Sequence, residues 1–291
     1  MFPPRFRYEA PRSLAEAVSL LHEGQGEAKV LAGGQSLVPL MKLRFASPEL
    51  LVDINNLPDL DHHRVDDSGA LHVGALCRHV DIERSGVVAE RQPTMAAAAP
   101  LIADPIVRTR GTLVGSLCHA DPQGDWASVM TALGGHVVAR GPGGQRTIAI
   151  SDFVTGPFQN TLAYDEIAVE AVVPGPRGRL EGGFLKLERR VGDFATAGAA
   201  VSVELDGDRI VRAGIGLSGV GARTIDAREA ADSLVGGVLD EAAITRAADL
   251  AASAAEPRSD HRGSAEYKRH VVHTFVTRIL TRVSTTATKA A

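Results

Sequence analysis

The segment from Thr109 to Asp125, hereafter the central segment, limits the fold of this 291-residue chain more than any other stretch. Gly111 and Gly115 lie at the start and near the end of its glycine-rich part, and glycine allows a backbone to come close to a ligand because it has no Cβ. The hydroxyl groups of Thr112 and Ser116, with the backbone N–H groups between them, are suited to lining an anion site. Asp125 stands just ahead of apolar residues at helical spacing, so it is predicted to be an N-cap. Two turns and a capped helix without a ligand remain the alternative interpretation of these residues alone.

A second loop of the same character, hereafter the upstream loop, lies between a short apolar strand candidate and a predicted helix. It consists of Leu31, Ala32, Gly33, Gly34, Gln35 and Ser36, and it leads into Leu37 and Val38. A small-residue loop before a helix offers free N–H groups at the positive end of the helix dipole, a combination that suits a phosphate. The loop is neither a Walker A loop, because no Gly-Lys-Ser/Thr follows, nor a Rossmann Gly-x-Gly-x-x-Gly.

Taken together, the two segments resemble the FAD-binding medium subunit of molybdenum hydroxylases, the family of aerobic carbon monoxide dehydrogenase and xanthine dehydrogenase. Members carry A-G-G-x-S followed by L-x-P-x-x-K-x-R, matched here by Ala32 to Arg44. They also carry T-x-G-G-N with a later Asp, matched by Thr112 to Ser116 with Asp125. Their K-x-x-R-R-x-G-D-x-A motif is matched by Lys186 to Ala195. The resemblance covers nearly the whole chain in the order of the family.

The resemblance implies an α+β fold: a two-part PCMH-type FAD-binding domain followed by a smaller C-terminal domain with a three-stranded antiparallel sheet and helices. A stretch rich in proline and glycine, Pro174 to Gly178, marks the predicted boundary, so the domains are expected at residues 1–175 and 176–291. In the second domain, Phe184–Glu188, Ala197–Leu205 and Arg209–Leu217 are the predicted strands, and a last helix is predicted over Ala265–Arg282.

The resemblance also implies the roles of individual residues. The two glycine segments would cradle the FAD diphosphate, and Asp125 would accept hydrogen bonds from the ribityl chain. Lys186 would lie near the flavin, where a cation stabilises an anionic reduced ring. Ile102 and Ile167 are apolar positions that the family places near the cofactor, although core packing explains them equally well. The implied FAD-binding set is Leu31, Ala32, Gly33, Gly34, Gln35, Ser36, Leu37, Val38, Ile102, Thr112, Leu113, Val114, Gly115, Ser116, Asp125, Ile167, Lys186 and Phe194.

Three positions depart from the pattern of the family. Val114 and Ser116 stand where the family usually has Gly and Asn, and either change can loosen the diphosphate contacts. Phe194 stands where several members have a flavin-side Tyr, so that ring packing is kept while a hydroxyl is lost.

Composition narrows the class of protein. A net charge of −4 argues against nucleic acid, which requires a clustered basic face. No apolar run reaches the length of a membrane span, and the N-terminus lacks the apolar core of a signal peptide, so the chain is expected to be cytoplasmic. Two cysteines are too few for an iron–sulfur cluster in its usual forms, and no metal is expected on this chain.

The chain has no recognisable cluster ligands and no substrate base, so the resemblance implies that other chains hold the molybdenum cofactor and the 2Fe–2S clusters. The implied partners are an iron–sulfur small subunit and a molybdopterin-binding large subunit, in a dimer of heterotrimers. This chain would pass electrons through FAD to NAD, a quinone or oxygen. Two alternatives stay open: a self-contained FAD-dependent oxidoreductase, and a non-catalytic assembly subunit that has lost FAD.

One further motif resembles a dinucleotide-binding loop but lacks the structural context of one. Gly214 to Gly219 fits Gly-x-Gly-x-x-Gly after a predicted strand, but no helix opens at its third glycine, as dinucleotide binding requires. A glycine-rich strand end is therefore predicted.

Overall fold

The computed structural model describes residues 2–290, with side chains up to residue 286. The strands are β1 Arg7–Glu9, β2 Ala28–Leu31, β3 Leu50–Asp53, β4 His63–Val65, β5 Leu71–Gly74, β6 His136–Gly141, β7 Gly144–Ala149, β8 Val154–Gly156, β9 Gln159–Asn160, β10 Ile167–Val173, β11 Arg179–Leu187, β12 Ala197–Asp206, β13 Arg209–Ser218 and β14 Ile225–Asp226. The α-helices are α1 Leu14–Glu23, α2 Leu37–Lys42, α3 His79–Glu83, α4 Gly86–Arg91, α5 Pro93–Ala98, α6 Pro105–Arg108, α7 Leu113–His119, α8 Asp125–Leu133, α9 Ile150–Phe153, α10 Arg228–Asp232, α11 Glu241–Ala254 and α12 Ala265–Ala290, with a 3-10 turn at Ala99–Leu101.

The chain begins with a parallel three-stranded sheet in the order β1-β3-β2. Helix α1 connects β1 to β2, and its first turn is capped by Ser13, whose hydroxyl accepts a hydrogen bond from the N–H of Glu16. Ala17 and Leu21 form the buried side of this helix. Because β2 and β3 are parallel, their carboxyl ends lie at the same edge of the sheet. The upstream loop leaves from that edge.

A five-stranded antiparallel sheet, in the order β4-β5-β10-β6-β7, follows. Its central strand β10 is apolar over nearly its whole length, which buries both faces of the sheet centre. Helices α5, α7 and α8 belong to the same hydrophobic core, where Trp126 on α8 is fully buried. The middle of the central segment, in α7, and its end, at the start of α8, are therefore fixed by helices packed in this core.

The C-terminal part contains the antiparallel sheet β11-β12-β13-β14. The three predicted strands are confirmed, and the two-residue strand β14 adds a fourth that the sequence analysis did not include. Helices α11 and α12 cover one face and form a second hydrophobic core with it. Helix α12 continues beyond Arg282, where its end was predicted. Within residues 2–290, no helix combines the length and the apolar character that crossing a bilayer would require.

The Gly-x-Gly-x-x-Gly motif proves to be a packing site between the two cores. Gly214 and Gly216 lie inside β13, which confirms the strand interpretation. A Cβ on Gly214 would lie 2.0 Å from the carbonyl oxygen of Ala132, and one on Gly216 would lie 2.0 Å from that of Ser128. Both carbonyls belong to α8. The glycines therefore allow a helix of the first core to touch the sheet of the second.

Replacing Gly216 by Ala is expected to destabilise the chain by about 2 kcal/mol, because the added carbon meets helix backbone that cannot rotate away. The midpoint of thermal unfolding should fall by several degrees. Gly86→Ala is the matched control, since an added Cβ at that position has no atom within 4 Å. Equal midpoints for the two variants would contradict the role assigned to Gly216.

A cluster of histidines and carboxylates joins β4, β5 and β10. Nδ1 of His72 lies 2.9 Å from Glu170 Oε2, and its Nε2 lies 3.0 Å from Asp66 Oδ2. Glu170 also receives Nε2 of His62 at 2.8 Å. Carboxylates only accept hydrogen bonds, so His72 satisfies both contacts only as an imidazolium. Burial acts to lower the pKa of His72, but the hydrogen bonds to Glu170 and Asp66 outweigh it, and the pKa lies above 6.5.

This cluster predicts a dependence of stability on pH. A histidine whose pKa is raised by folding stabilises the folded state below its ordinary pKa, and that stability is lost as pH rises through the folded value. The contribution of His72 to the free energy of unfolding should therefore be smaller at about pH 8 than at about pH 6. His72→Gln should remove this part of the dependence in urea titrations. His270→Gln, at an exposed position, should leave it unchanged.

Candidate functional site

The upstream loop and the central segment touch each other at Gly33. A Cβ placed on Gly33 would lie 2.2 Å from the carbonyl oxygen of Arg110 and 2.9 Å from the Cα of Gly111. No side chain fits between these backbones. The expectation that two glycine segments, distant in sequence, come together is therefore confirmed at this contact.

The upstream loop presents a row of backbone donors. Among the described residues, the N–H groups of Gly33 to Leu37 have no hydrogen-bond acceptor. Gly34 has a φ of +73°, a left-handed conformation that glycine adopts without strain. Ser36 is the N-cap of α2 but makes no side-chain cap bond. Successive unpaired N–H groups ahead of a helix form a concave site for an anion.

The central segment contributes the first turn of a helix, where a glycine loop had been predicted. Thr112 is the N-cap of α7, and its Oγ1 accepts the N–H of Gly115 at 3.0 Å. The N–H groups of Leu113 and Val114 find no acceptor within the described chain. The side chains of both residues are buried in the first core. Valine at a position where the family has glycine therefore does not cover the free N–H groups.

Asp125 is the first residue of α8, and Gly124 is the N-cap, so the N-cap prediction for Asp125 is wrong. Its side chain turns instead toward Lys186, whose Nζ lies 3.0 Å from Oδ2. Oδ1 is buried and has no hydrogen-bond partner in the described structure. Burial raises the pKa of Asp125 to about 6, while the Lys186 charge opposes the shift. A buried acceptor without a donor is costly unless a ligand supplies one.

Lys186 reaches this site from the second core, and its side chain is only 1% exposed. The ammonium donates to Asp125 and to the carbonyl oxygens of Leu101, at 2.6 Å, and Asp193, at 3.1 Å. Glu188 Oε2 lies 3.1 Å away and adds negative charge. An ammonium has three protons, so its protein partners use all of them. Lys186 thus ties three chain segments together and fixes the side chain of Asp125.

The structure places Ile102 and Phe194 beside those segments. Ile102 follows Leu101 and is buried, and its carbonyl accepts Arg108 Nη1 at 3.1 Å. Phe194 follows Asp193, is half exposed, and its carbonyl accepts Arg262 Nη1 at 2.6 Å. Ile167 begins β10 and is buried in the first core. Contact of these three side chains with a cofactor stays a prediction.

Asn55 and Arg78 were missed by the sequence analysis, although both hold the glycine segments. Asn55 Nδ2 donates to the carbonyl of Ala32 at 2.9 Å, and Arg78 Nη1 donates to that of Arg110 at 2.8 Å. Asn55 had a signal, because it follows the carboxyl end of β3, the edge where ligands of parallel sheets bind. Arg78 has no local motif that marks it.

Comparisons with known proteins identify the family of the chain. Residues 4–176 match the family model described as FAD binding domain in molybdopterin dehydrogenase, and residues 183–283 match the CO dehydrogenase flavoprotein C-terminal domain. The chain belongs to the family of FAD-binding medium subunits of molybdenum hydroxylases.

Relatives of this family match over nearly their whole length. The carbon monoxide dehydrogenase medium chain of Hydrogenophaga pseudoflava is 40% identical, over 96% of this chain and 97% of its own. The glyceraldehyde dehydrogenase medium chain of Sulfolobus acidocaldarius is 36% identical, over 94% and 96%. A chain of the reconstituted CO dehydrogenase from Oligotropha carboxidovorans superposes with a TM-score of 0.93 at 35% identity, over 98% and 99%.

The donors and acceptors of the site fit FAD, the cofactor of this medium-subunit family. The unpaired N–H groups of Gly33 to Leu37 and of Leu113 and Val114 match the acceptor-only oxygens of a diphosphate. The orphaned Oδ1 of Asp125 matches the hydroxyl donors of a ribityl chain. The site therefore offers unpaired donors to the diphosphate and an unpaired acceptor to the ribityl chain of the cofactor.

Proposed function

We propose that this chain is the FAD-carrying subunit of a molybdenum hydroxylase complex, which passes electrons from 2Fe–2S clusters on a partner through FAD to an external acceptor. The main support is the contact at Gly33, which joins the two distant segments that carry the unpaired donors. Membership of the medium-subunit family supports the assignment over nearly the full chain.

FAD supplies redox chemistry, because it can accept electrons singly and release them as a pair. The protein contributes binding and orientation. The backbone donors of the upstream loop and of α7 offset the diphosphate charge, and Ser36 and Ser116 add hydroxyl donors. Lys186 keeps Asp125 ionised at neutral pH in a buried place, so that its free oxygen can accept hydrogen bonds from the ribityl chain.

The proposed partners are an iron–sulfur small subunit and a molybdopterin-binding large subunit, in a dimer of heterotrimers. The names of the relatives support a role as the medium subunit of a complex, since these relatives are medium chains of dehydrogenases. We assign the FAD-binding domain to residues 1–175 and the C-terminal domain to residues 176–291. A cytoplasmic location is supported by Cys77 and Cys118, which are both free thiols.

The test is to coexpress the chain with its partner subunits, purify the complex, and measure its FAD content and its reduction by substrate. The expected result is one FAD per medium chain, reduced only when the iron–sulfur partner is present. A complex that assembles but cannot take up FAD would point to an assembly subunit. Reduction of FAD by an organic substrate in the isolated chain would point to a self-contained oxidoreductase.

A further inference from the structure

A chain of side-chain hydrogen bonds joins the upstream loop to the central segment, which are the two halves of the proposed FAD site. Asn55 Nδ2 donates to the carbonyl of Ala32, and Arg78 Nη2 donates to Asn55 Oδ1 at 2.6 Å. The other guanidinium nitrogen, Nη1, donates to the carbonyl of Arg110. This connection, hereafter the Asn55–Arg78 bridge, runs from the upstream loop to the central segment.

The bridge determines which way the first loop donor points. The carbonyl and the N–H of a trans peptide point in opposite directions, and the described chain has no cis peptide bond. With the carbonyl of Ala32 held by Asn55, the N–H of Gly33 must face the opposite side. That N–H is the first of the unpaired donors. The bridge therefore fixes the direction of the first donor in the row that the diphosphate needs.

Both ends of the bridge are themselves held. Asp53 Oδ1 accepts from the backbone N–H of Asn55 at 2.9 Å and from its Nδ2 at 2.5 Å. Asp53 Oδ2 in turn accepts the hydroxyl of Tyr8 at 2.5 Å. On the other side, the backbone of Arg78 pairs with that of Thr112, the N-cap of α7. Neither Asn55 nor Arg78 is free to follow a loop that moves away.

We infer that Asn55 and Arg78 are positioning residues that hold the upstream loop and the central segment in register for the FAD diphosphate. The inference rests on the proposed function, since it assigns these side chains to the same FAD site. A guanidinium suits the role because its fixed fork donates to two acceptors at once. Lysine has three donors on a single point charge but lacks the fixed fork, so it is expected to hold the two acceptors less precisely.

The test is a double-mutant cycle in the assembled complex, with FAD dissociation constants measured for Asn55→Ala, Arg78→Met and the double variant. Each single change should weaken FAD binding about tenfold or more, the loss expected for one charge-assisted hydrogen bond. The double variant should lose no more than the worse single variant, because either change already breaks the bridge. Arg78→Lys should fall between wild type and Arg78→Met.

Asn56→Ala and Arg84→Met are matched controls, because both residues are exposed neighbours of the bridge. Thermal unfolding with and without FAD separates positioning from general stability. The inference expects a smaller FAD-dependent rise of the midpoint with little change in the FAD-free protein. The inference would be overturned if the losses of FAD affinity in the two single variants added up in the double variant. It would also be overturned if the single variants bound FAD within twofold of wild type, or if the unfolding midpoints with and without FAD fell equally. A wild-type complex that takes up no FAD would instead overturn the proposed function.

Discussion

Gly33→Ala should weaken FAD binding by about 100-fold, so that the assembled complex is purified largely without flavin. The added Cβ would lie 2.2 Å from the carbonyl oxygen of Arg110, and backbone cannot rotate out of its way. The upstream loop and the central segment must therefore separate by about 1 Å before the overlap is relieved. Flavin absorbance per complex and a titration with FAD measure the effect. A carboxylate, as in Gly33→Asp, adds charge repulsion to the same overlap.

The matched control is Gly143→Ala in the β6–β7 turn, where an added Cβ has no atom within 4 Å. Its complex should carry the FAD content of the wild type. If Gly33→Ala kept full FAD occupancy at wild-type affinity, the two segments would not form the diphosphate site.

Lys186→Met should be the most destabilising single change at the junction of the two cores, at about 3 kcal/mol at neutral pH. It removes the cation that faces Asp125 and leaves the carbonyls of Leu101 and Asp193 without their donor. The pKa of Asp125, already about 6 beside Lys186, should rise further. A folded-state pKa above the unfolded value favours the folded protein at low pH, so the deficit should shrink as pH falls.

Urea titrations across pH measure this loss of stability. The FAD content of Lys186→Met should also fall, because a protonated Asp125 loses an acceptor. Adding Asp125→Asn to Lys186→Met should recover part of the stability, since the buried charge of Asp125 is then no longer left unpaired. Lys29→Met, at an exposed position, is the control. A Lys186→Met protein as stable as this control at neutral pH would show that the buried pair is not needed.

The glycine segments could be predicted from sequence because the absence of a Cβ is itself the signal. Gly33 was assigned to a close approach of backbone to ligand, and its nearest neighbour proves to be the backbone of Arg110. The central segment was predicted as a glycine-rich loop because Gly111 and Gly115 allow the backbone to come close to a ligand. The Thr112 cap and the packing of Leu113 and Val114 overrule that local preference.

The partner of Asp125 could not be predicted. An acid just ahead of an apolar helix is typical of an N-cap, and the sequence does not show that Gly124 takes that place. Lys186 on β11 meets Asp125 at the start of α8 only in the folded chain, and nothing near either residue in sequence signals the pair. The same holds for Arg78, whose two acceptors come from different parts of the chain.

Helix α8 connects these observations, because Asp125 opens it and Ser128 and Ala132 lie against Gly216 and Gly214. Flavin affinity and the packing of the C-terminal sheet consequently depend on the same helix. Consider a chimera that takes its last hundred or so residues from another family member. Its interface between α8 and β13 will be poorly packed unless α8 is exchanged along with them. Substitutions in β13, which contacts α8 and not the glycine segments, then become a means of changing flavin affinity.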